Sequence, residues 1–459
     1  LELNKAIYTN LEAIVGTDFI SDAQHVRWTY SKDFGIFPRH LPDIVIKPRT
    51  TPEIQSILQI ANSKKIPIYI RGAGISYAGG VVPSAGGILL DLTQMNRILR
   101  IDRNSDSCIV ECCAVCGTLM QELEKEGYIL PAFPDSALVA TVGGFLATSG
   151  VGSWGSALYG SIADFVLGLK VVLPNGDVVV TGSAGANPNA NGQFTRYAGM
   201  PDLTGLFIGS EGTLGVMTEI AFRIAPLPEK TIYFSYRFQT HQEAERVAIK
   251  AKRMGLHIVS MDIITSLHDP PRLDAIIATN ERTALVEEEI FEEIAKAEGG
   301  EDLGHDFAQH GYEGIFKPGE QFSLGSRVII GGFVPMEGIG NYLDMIKREG
   351  LRMHKKYGFP FRFGAFNVLN SFDVYIMFYW DEEDPIEMEK GRQANEELQT
   401  ILFETGLIPS KRGQVWNKYS NASHSQAFEL FKSIKKSLDP NGIMSPGVHG
   451  LGIKNKEEL

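Results

Sequence analysis

The sequence predicts an α+β protein of two domains, and three observations carry that reading. Through the first half of the chain, strands and helices alternate around glycine-rich turns. A proline-bounded break falls at 226–229 (PLPE). Beyond it, aromatic strands such as TIYFSYRF interleave with longer helices, the pattern of an antiparallel sheet covered by helices. At 459 residues, the chain is long enough for two or three domains with full cores.

The elements follow in order. Residues 3–15 predict a short helix, and 28–37 an aromatic loop. DIVIKP reads as a strand. Thr50 or Thr51 opens an amphipathic helix over 51–63, with Pro52 in its first turn, where no N–H is needed. IPIYIRG is the next strand, so this helix crosses between two strands as in a βαβ unit. Residues 88–130 hold a further strand and helix. Strands at 168–173, 178–181 and 214–224 surround a polar loop, 183–201, expected to be flexible and surface-borne. Past the break come a helix at 242–254, the strands HIVSMDII and RVIIGGFV, a helix at 338–357, a strand pair over 364–380 and a long helix at 385–405. The acidic run 287–293 and the cationic run 432–436 (KSIKK), beside Phe428 and Phe431, both read as solvated helix faces.

The segment 66–92, IPIYIRGAGISYAGGVVPSAGGILLDL, is the most informative. Its strand stops at Arg71 and gives way to Gly72, Gly74, Gly79 and Gly80. Glycine permits positive φ and a close approach of backbone to ligand, and successive N–H groups then form a nest for phosphate oxygens. A Rossmann unit would need a helix directly after the glycines, but Val81, Val82 and Pro83 follow. Alone, the segment could equally be a plain surface turn.

Three more glycine-rich segments accompany it: PAFPDSALVATVGGFLATSGVGSWGSALYGS (131–161), GSEGTLGV (209–216) and LDPNGIMSPG (438–447). With RGAGISYAGG, these four motifs in this order resemble the FAD-binding domain of the vanillyl-alcohol oxidase and para-cresol methylhydroxylase superfamily, the PCMH-type domain. The resemblance implies a two-lobed FAD-binding domain over 1–227, a cap domain over 228–430 that covers the flavin ring and holds substrate, and a return to the first domain over 431–459. It implies that Arg71, Gly72, Ala73, Gly74, Ile75, Ser76 and Gly79 hold the FAD pyrophosphate. Pro134, Thr141, Gly144, Thr148, Ser149 and Tyr159, with Glu211, Gly215 and Val216, would then line the isoalloxazine and adenine sides.

The same resemblance directs attention to Tyr77, inside the glycine loop, and to Lys411 and Arg412 in GLIPSKRGQVW. The vanillyl-alcohol oxidase branch has a tyrosine in the matching loop and a Tyr-Arg pair after the matching helix; Arg412 matches the arginine, and Lys411 or Ser410 replaces the tyrosine. Tyr77 and Arg412 would hold a substrate phenolate. The structural alternatives are that Tyr77 packs between domains and that Lys411 and Arg412 cap a helix. Asp135, in PAFPDS, is a candidate base or electrostatic partner, or simply an N-cap. The implied activity is oxidation of a small phenolic or aromatic alcohol, or alkylphenol, by hydride transfer to flavin N5. A 2-hydroxy-acid (lactate- or glycolate-type) dehydrogenase and a flavin-bearing electron-transfer subunit are the rivals.

No metal is expected. The hydroxy-acid branch carries a histidine-rich cap motif, whereas this chain reads FGAFNVLNSFDVYIMF, and His257, His268 and His354 are scattered. The four cysteines, Cys108, Cys112, Cys113 and Cys116, fall where the family has a strand over 109–115 entering a helix over 117–126. Strand alternation puts Cys108 and Cys112 on one face and Cys113 on the other, so they read as small packing residues in a reducing, cytoplasmic compartment. No histidine lies between Arg71 and Gly80 or near Phe372 and Asp373, so FAD is expected to be non-covalent, although Tyr375 and Tyr379 could form a tyrosyl bond. A net charge of −12 without a basic stripe excludes a nucleic-acid surface. No apolar run approaches the ~20 residues of a membrane span. The expected partner is a small-molecule substrate, with an electron-acceptor protein and a homodimeric second copy left open. A chain starting at Leu1 rather than Met leaves room for a missing N-terminal segment.

Overall fold

Short apolar runs build the first sheet. Ile44–Ile46, Ile68–Arg71 and Ile88–Asp91 lie parallel, with Ile88–Asp91 in the middle and Ile20–Ser21 antiparallel at one edge. Ile44, Val45, Ile46, Ile88, Leu89 and Leu90 are all buried, as expected of parallel strands covered on both faces. The computed structural model describes residues 5–187, 189–190, 192–197, 199–315, 326–381, 383–420 and 425–452. The crossover helix is Thr51–Lys64. Thr50 caps it: the Thr50 hydroxyl accepts the Glu53 N–H, the Glu53 carboxylate accepts the Thr50 N–H, and Ile54, Ile57, Leu58 and Ala61 face inward. The two strands it links are not neighbours, because Ile88–Asp91 inserts between them.

The second sheet is antiparallel, in the order Ile98–Asp102, Ser107–Glu111, Val216–Arg223, Val166–Val172, Val178–Val180. The loop following it lies at the surface, as expected, with Phe194, Tyr197 and Met200 exposed. Where described, it is anchored by side chains: Gln193 Nε2 donates to the Thr181 carbonyl at 2.7 Å, and Arg196 donates to the Ala163 carbonyl at 2.6 Å and pairs with Asp202.

The C-terminal segment rejoins the first sheet. The Ile68 N–H donates to the Ile443 carbonyl and the Ser445 N–H to the Ile68 carbonyl, both at 2.7 Å. Lys435 corrects the reading of KSIKK as a solvated face. It is buried, and its ammonium donates to Asp439 at 2.5 Å, to the Thr213 carbonyl at 2.7 Å and to the Met444 carbonyl at 2.8 Å. The cationic spacing is helical, but these acceptors arrive from distant turns.

The third sheet has eight antiparallel strands among the described residues. In spatial order they are Glu301–Asp302, Lys230–Arg237, Arg272–Thr279, Ile258–Ser266, Phe361–Val368, Ser371–Trp380, Ser326–Pro335 and Ile408–Pro409. One face packs Met261, Ile263, Leu273, Ala275, Phe363, Ala365, Phe372, Val374 and Ile376 under helices His241–Arg253, Glu281–Ala297, Ile339–Tyr357 and Pro385–Glu404. Strand alternation turns Asp262, Arg272, Asp274, Phe366, Asp373 and Tyr375 to the other face. The acidic run lies on Glu281–Ala297, but Glu287 is buried, accepting the His257 N–H at 2.8 Å and facing its ring nitrogen at 2.6 Å. The strand Arg272–Thr279 and the helix His305–Ile315 are additions to the predicted elements.

Candidate active site

The glycine loop is held from outside, which leaves its inner backbone open. Asp33, buried, accepts the N–H groups of Gly35 at 2.9 Å and Gly79 at 2.7 Å, and burial pushes its carboxyl up to about 6. Arg71 donates to the Lys32 carbonyl at 2.8 Å and stands over the Tyr30 ring, its pKa lowered by burial. A Cβ on Gly74, at φ +72°, would overlap that guanidinium; one on Gly72 would sit 2.5 Å from Thr141 Oγ1 and 3.6 Å from Cys113 Sγ. Among the described residues, no protein acceptor takes the N–H groups of Ala73, Gly74, Ile75, Ser76 or Tyr77. Such a run of open donors around glycine is a phosphate cradle.

Other predicted cofactor residues close around it. Thr141 caps the helix Val142–Ala147, accepting from Gly144 N at 3.3 Å. Ser149, at φ +49°, packs where a Cβ on Gly209 would come within 2.5 Å of its hydroxyl. Glu211 accepts the Gly413 N–H at 2.9 Å and also faces Gly80, so GSEGTLGV meets both the glycine loop and the KRG turn. Gln414 adds to this junction, donating to the Gly79 and Val82 carbonyls at 2.7 and 2.8 Å. Pro134 is buried, and its carbonyl accepts the Ala137 N–H. Four predicted residues turn elsewhere. Thr148 donates back to the Phe145 carbonyl, Tyr159 packs edge-on to Phe165, a Cβ on Gly215 would press on Val171 and Val172, and Val216 is buried in the first core opposite Val172. The four cysteines are buried free thiols, of which Cys113 faces the Gly72 turn, and burial pushes Cys108 and Cys116 up to about 12.

Tyr77 and Lys411 meet. The Lys411 ammonium lies 4.5 Å from the centroid of the Tyr77 ring. Burial lowers the Lys411 pKa, but Tyr77, Asp373 and Asp135 outweigh that and hold it above the ordinary lysine value. Asp373 is buried under the same group, its carboxyl pushed up to about 7 by burial against the pull of Lys411 and Ser410. Arg412 does not join them. It faces Glu211 and His449, and burial lowers its pKa. Asp135 accepts the Ser153 hydroxyl at 2.5 Å and the Ser153 N–H at 3.3 Å. Aromatic rings line its side of the cleft: Phe133 stacks on Trp154 at 5.9 Å, and Trp154 meets Tyr312 at 6.0 Å. Asp33, Gln414, Asp262, Asp373 and Tyr312 are thus functional neighbours outside the predicted set. Their one sequence signal was polarity within apolar or glycine-rich context.

The cradle, the capped Thr141 turn and the Glu211 junction fit a dinucleotide pyrophosphate. Residues 42–182 match the family model for an FAD-binding domain. The backbone superposes on p-cresol methylhydroxylase with substrate bound at a TM-score of 0.86, over 98% of this chain and 97% of that one. The chain therefore carries an FAD-binding domain and, over nearly its whole length, the fold of that enzyme. At 21% identity that superposition is a likeness of fold, as is that with 4-ethylphenol oxidase from Gulosibacter chungangensis in complex with isoeugenol (TM-score 0.84, 18% identity, 97% of both chains). The glycolate oxidase subunit GlcD of Bacillus subtilis is 35% identical over 236 residues, so the chain spans about half of that relative (51% of this chain, 48% of GlcD). The mitochondrial D-lactate dehydrogenase (cytochrome) of Arabidopsis thaliana is 28% identical over 97% of this chain and 80% of its own length. No helix among the described residues is long and apolar enough to cross a membrane.

Proposed function

We propose that this protein is an FAD-dependent oxidoreductase acting on a small phenolic or aromatic alcohol, or alkylphenol, with the phenolic oxygen held between Lys411 and Tyr77. The observation that carries this reading is the half-buried Lys411 ammonium over the Tyr77 ring, because a partly desolvated cation next to a phenol favours an oxyanion ligand. Asp373 compensates Lys411 when no anion is bound. Bound FAD supplies a hydride acceptor, and the protein's share is to orient the donor and stabilise its deprotonated form. In this scheme, residues 1–227 with 431–459 hold FAD without a covalent bond, 228–430 form the cap, and the free thiols suit a reducing, cytoplasmic setting.

A second reading is a 2-hydroxy-acid dehydrogenase in which Lys411 takes the carboxylate, favoured by the lactate and glycolate enzymes among the relatives. Against it, Asp262, Asp274 and Asp373 share the cap's inner face, and Arg272 is already held by Asp274. Anaerobic reduction separates the two. 4-Ethylphenol and 4-hydroxybenzyl alcohol should reduce the flavin, their methyl ethers should not, and Tyr77→Phe or Lys411→Met should slow reduction on the order of 10- to 100-fold, as loss of one charge-assisted hydrogen bond of about 1.5–3 kcal/mol implies. Equal rates for a phenol and its ether, or reduction by D-lactate alone, would defeat the phenol reading.

A further inference from the structure

The cap's inner face has a direction. Strand registers align its side chains in rows: Asp274, Asp262, Phe366 and Asp373 at one level, Arg272, Ile264, Gly364 and Tyr375 at the next. Neighbouring strands lie about 4.8 Å apart, so Asp262 and Asp373, on either side of Phe366, stand roughly 10 Å from each other. The Asp373 end belongs to Lys411, Ser410 and Tyr77. The Asp262 end has no cation to spare. Arg272 is gripped by Asp274 through contacts of 2.9, 3.2 and 2.9 Å, and Ser235 donates to the same carboxylate at 2.6 Å.

Asp262 itself is not matched. Its Oδ1 is buried and has no hydrogen-bond partner among the described residues. A second carboxylate arrives from across the cleft: Ser153 holds Asp135, and the Gly155 N–H donates at 2.7 Å to the Val259 carbonyl, pinning that turn onto the Asp262 strand. Asp135 and Asp274 add their repulsion to burial in raising the Asp262 pKa, Arg272 opposes them, and Tyr312 and Tyr375 are the remaining titratable neighbours. A buried carboxyl oxygen without a donor is costly, and in a substrate cleft a ligand can provide that donor.

We infer that Asp262, together with Asp135, is a specificity-determining pair that receives an O–H or N–H donor on the substrate side chain, at the end of the ring opposite its phenolic oxygen. The inference rests on the phenol reading above. Among the phenols of that reading, it favours a tail that ends in a donor over a plain alkyl tail and rejects para-carboxylates.

Non-reacting probes titrated into the FAD-loaded enzyme test this by calorimetry and by perturbation of the flavin absorbance. 4-Hydroxybenzamidine should bind at least about tenfold tighter than 4-vinylphenol, which has no sp3 benzylic hydrogen to lose, and 4-hydroxybenzoate at least about tenfold weaker, the worth of one charge-assisted contact. Asp262→Asn, matched in shape and checked for retained FAD and melting temperature, should collapse the amidine preference, and Asp135→Asn should reduce it. Equal affinities for the amidine and 4-vinylphenol, or an amidine preference unchanged in Asp262→Asn, would overturn the inference. Benzamidine, which lacks the hydroxyl, isolates the premise. If it binds in an Asp262-dependent manner while no phenol binds, the carboxyl pair stands and the phenol reading falls; if neither binds, both fall.

Discussion

Lys411 and Asp373 make a couple whose balance moves with pH. The folded Asp373 titrates at about 7, above the ordinary carboxyl range, because burial outweighs Lys411 and Ser410. The protonated acid therefore contributes stability that is full below about pH 4 and lost as pH rises through about 7. The same titration sets the charge available to a ligand: below 7 Lys411 is uncompensated, and above 7 Asp373 neutralises it. An acidic phenol ionised throughout, such as pentafluorophenol, should thus bind more weakly as pH climbs from 6 to 8.5, and Asp373→Asn should flatten the profile. A wild-type affinity that rises over that range would contradict the coupling. Tyr77 and Lys411 were reached in the sequence through the resemblance of their glycine loop and post-helix turn to family motifs, which favoured Arg412 over Lys411 as the partner of Tyr77. Asp262 and Asp373 were not, since a lone aspartate in an apolar strand says nothing of the row it joins until the registers of four strands are known.

At the scale of elements, buried polar contacts decide what periodicity leaves undetermined. The Thr50 capping box, the apolar crossover strands and the hairpin Phe361–Val368 with Ser371–Trp380 followed directly from local pattern. KSIKK misled because Lys435 finds its acceptors at Thr213, Asp439 and Met444, two of them carbonyls that no helical wheel displays. Lys435→Met would leave the buried Asp439 without its cation, although the Ile443 and Met444 N–H groups still reach it. Removing one partner of a buried pair costs about 3–5 kcal/mol, so urea unfolding should show a loss of that order. A loss within ~0.5 kcal/mol, as for an ordinary surface substitution, would mean that the clamp carries no load. Arg272–Thr279 went unpredicted although it alternates. Its polar positions form an ion pair facing a cleft, and from sequence alone that resembles a solvated turn.

At the scale of the molecule, two apolar cores flank one cleft, and the cofactor is expected to sit where the four glycine-rich motifs meet. The purified protein should be yellow with FAD near one per chain, and acid precipitation should release it to the supernatant. Colour that stays in the pellet would show a covalent bond. Gly74→Val tests the cradle itself: a β-branched side chain at φ +72° against Arg71 should sharply reduce FAD content while far-ultraviolet circular dichroism is kept. Retention of full FAD would place the pyrophosphate elsewhere.

The edge strand Ile68–Arg71 takes its last partner from Ile443 and Ser445, some 375 residues later in the chain. During synthesis, the ribosome must therefore deliver some 375 further residues before that edge is covered. Contacts of such sequence separation form late, after the entropy of closing a very long loop has been met. Until then the nascent protein carries an unpaired parallel edge beside a half-built phosphate nest. It would be vulnerable to aggregation at that stage, and the FAD site would be complete only once residues 443–445 have emerged.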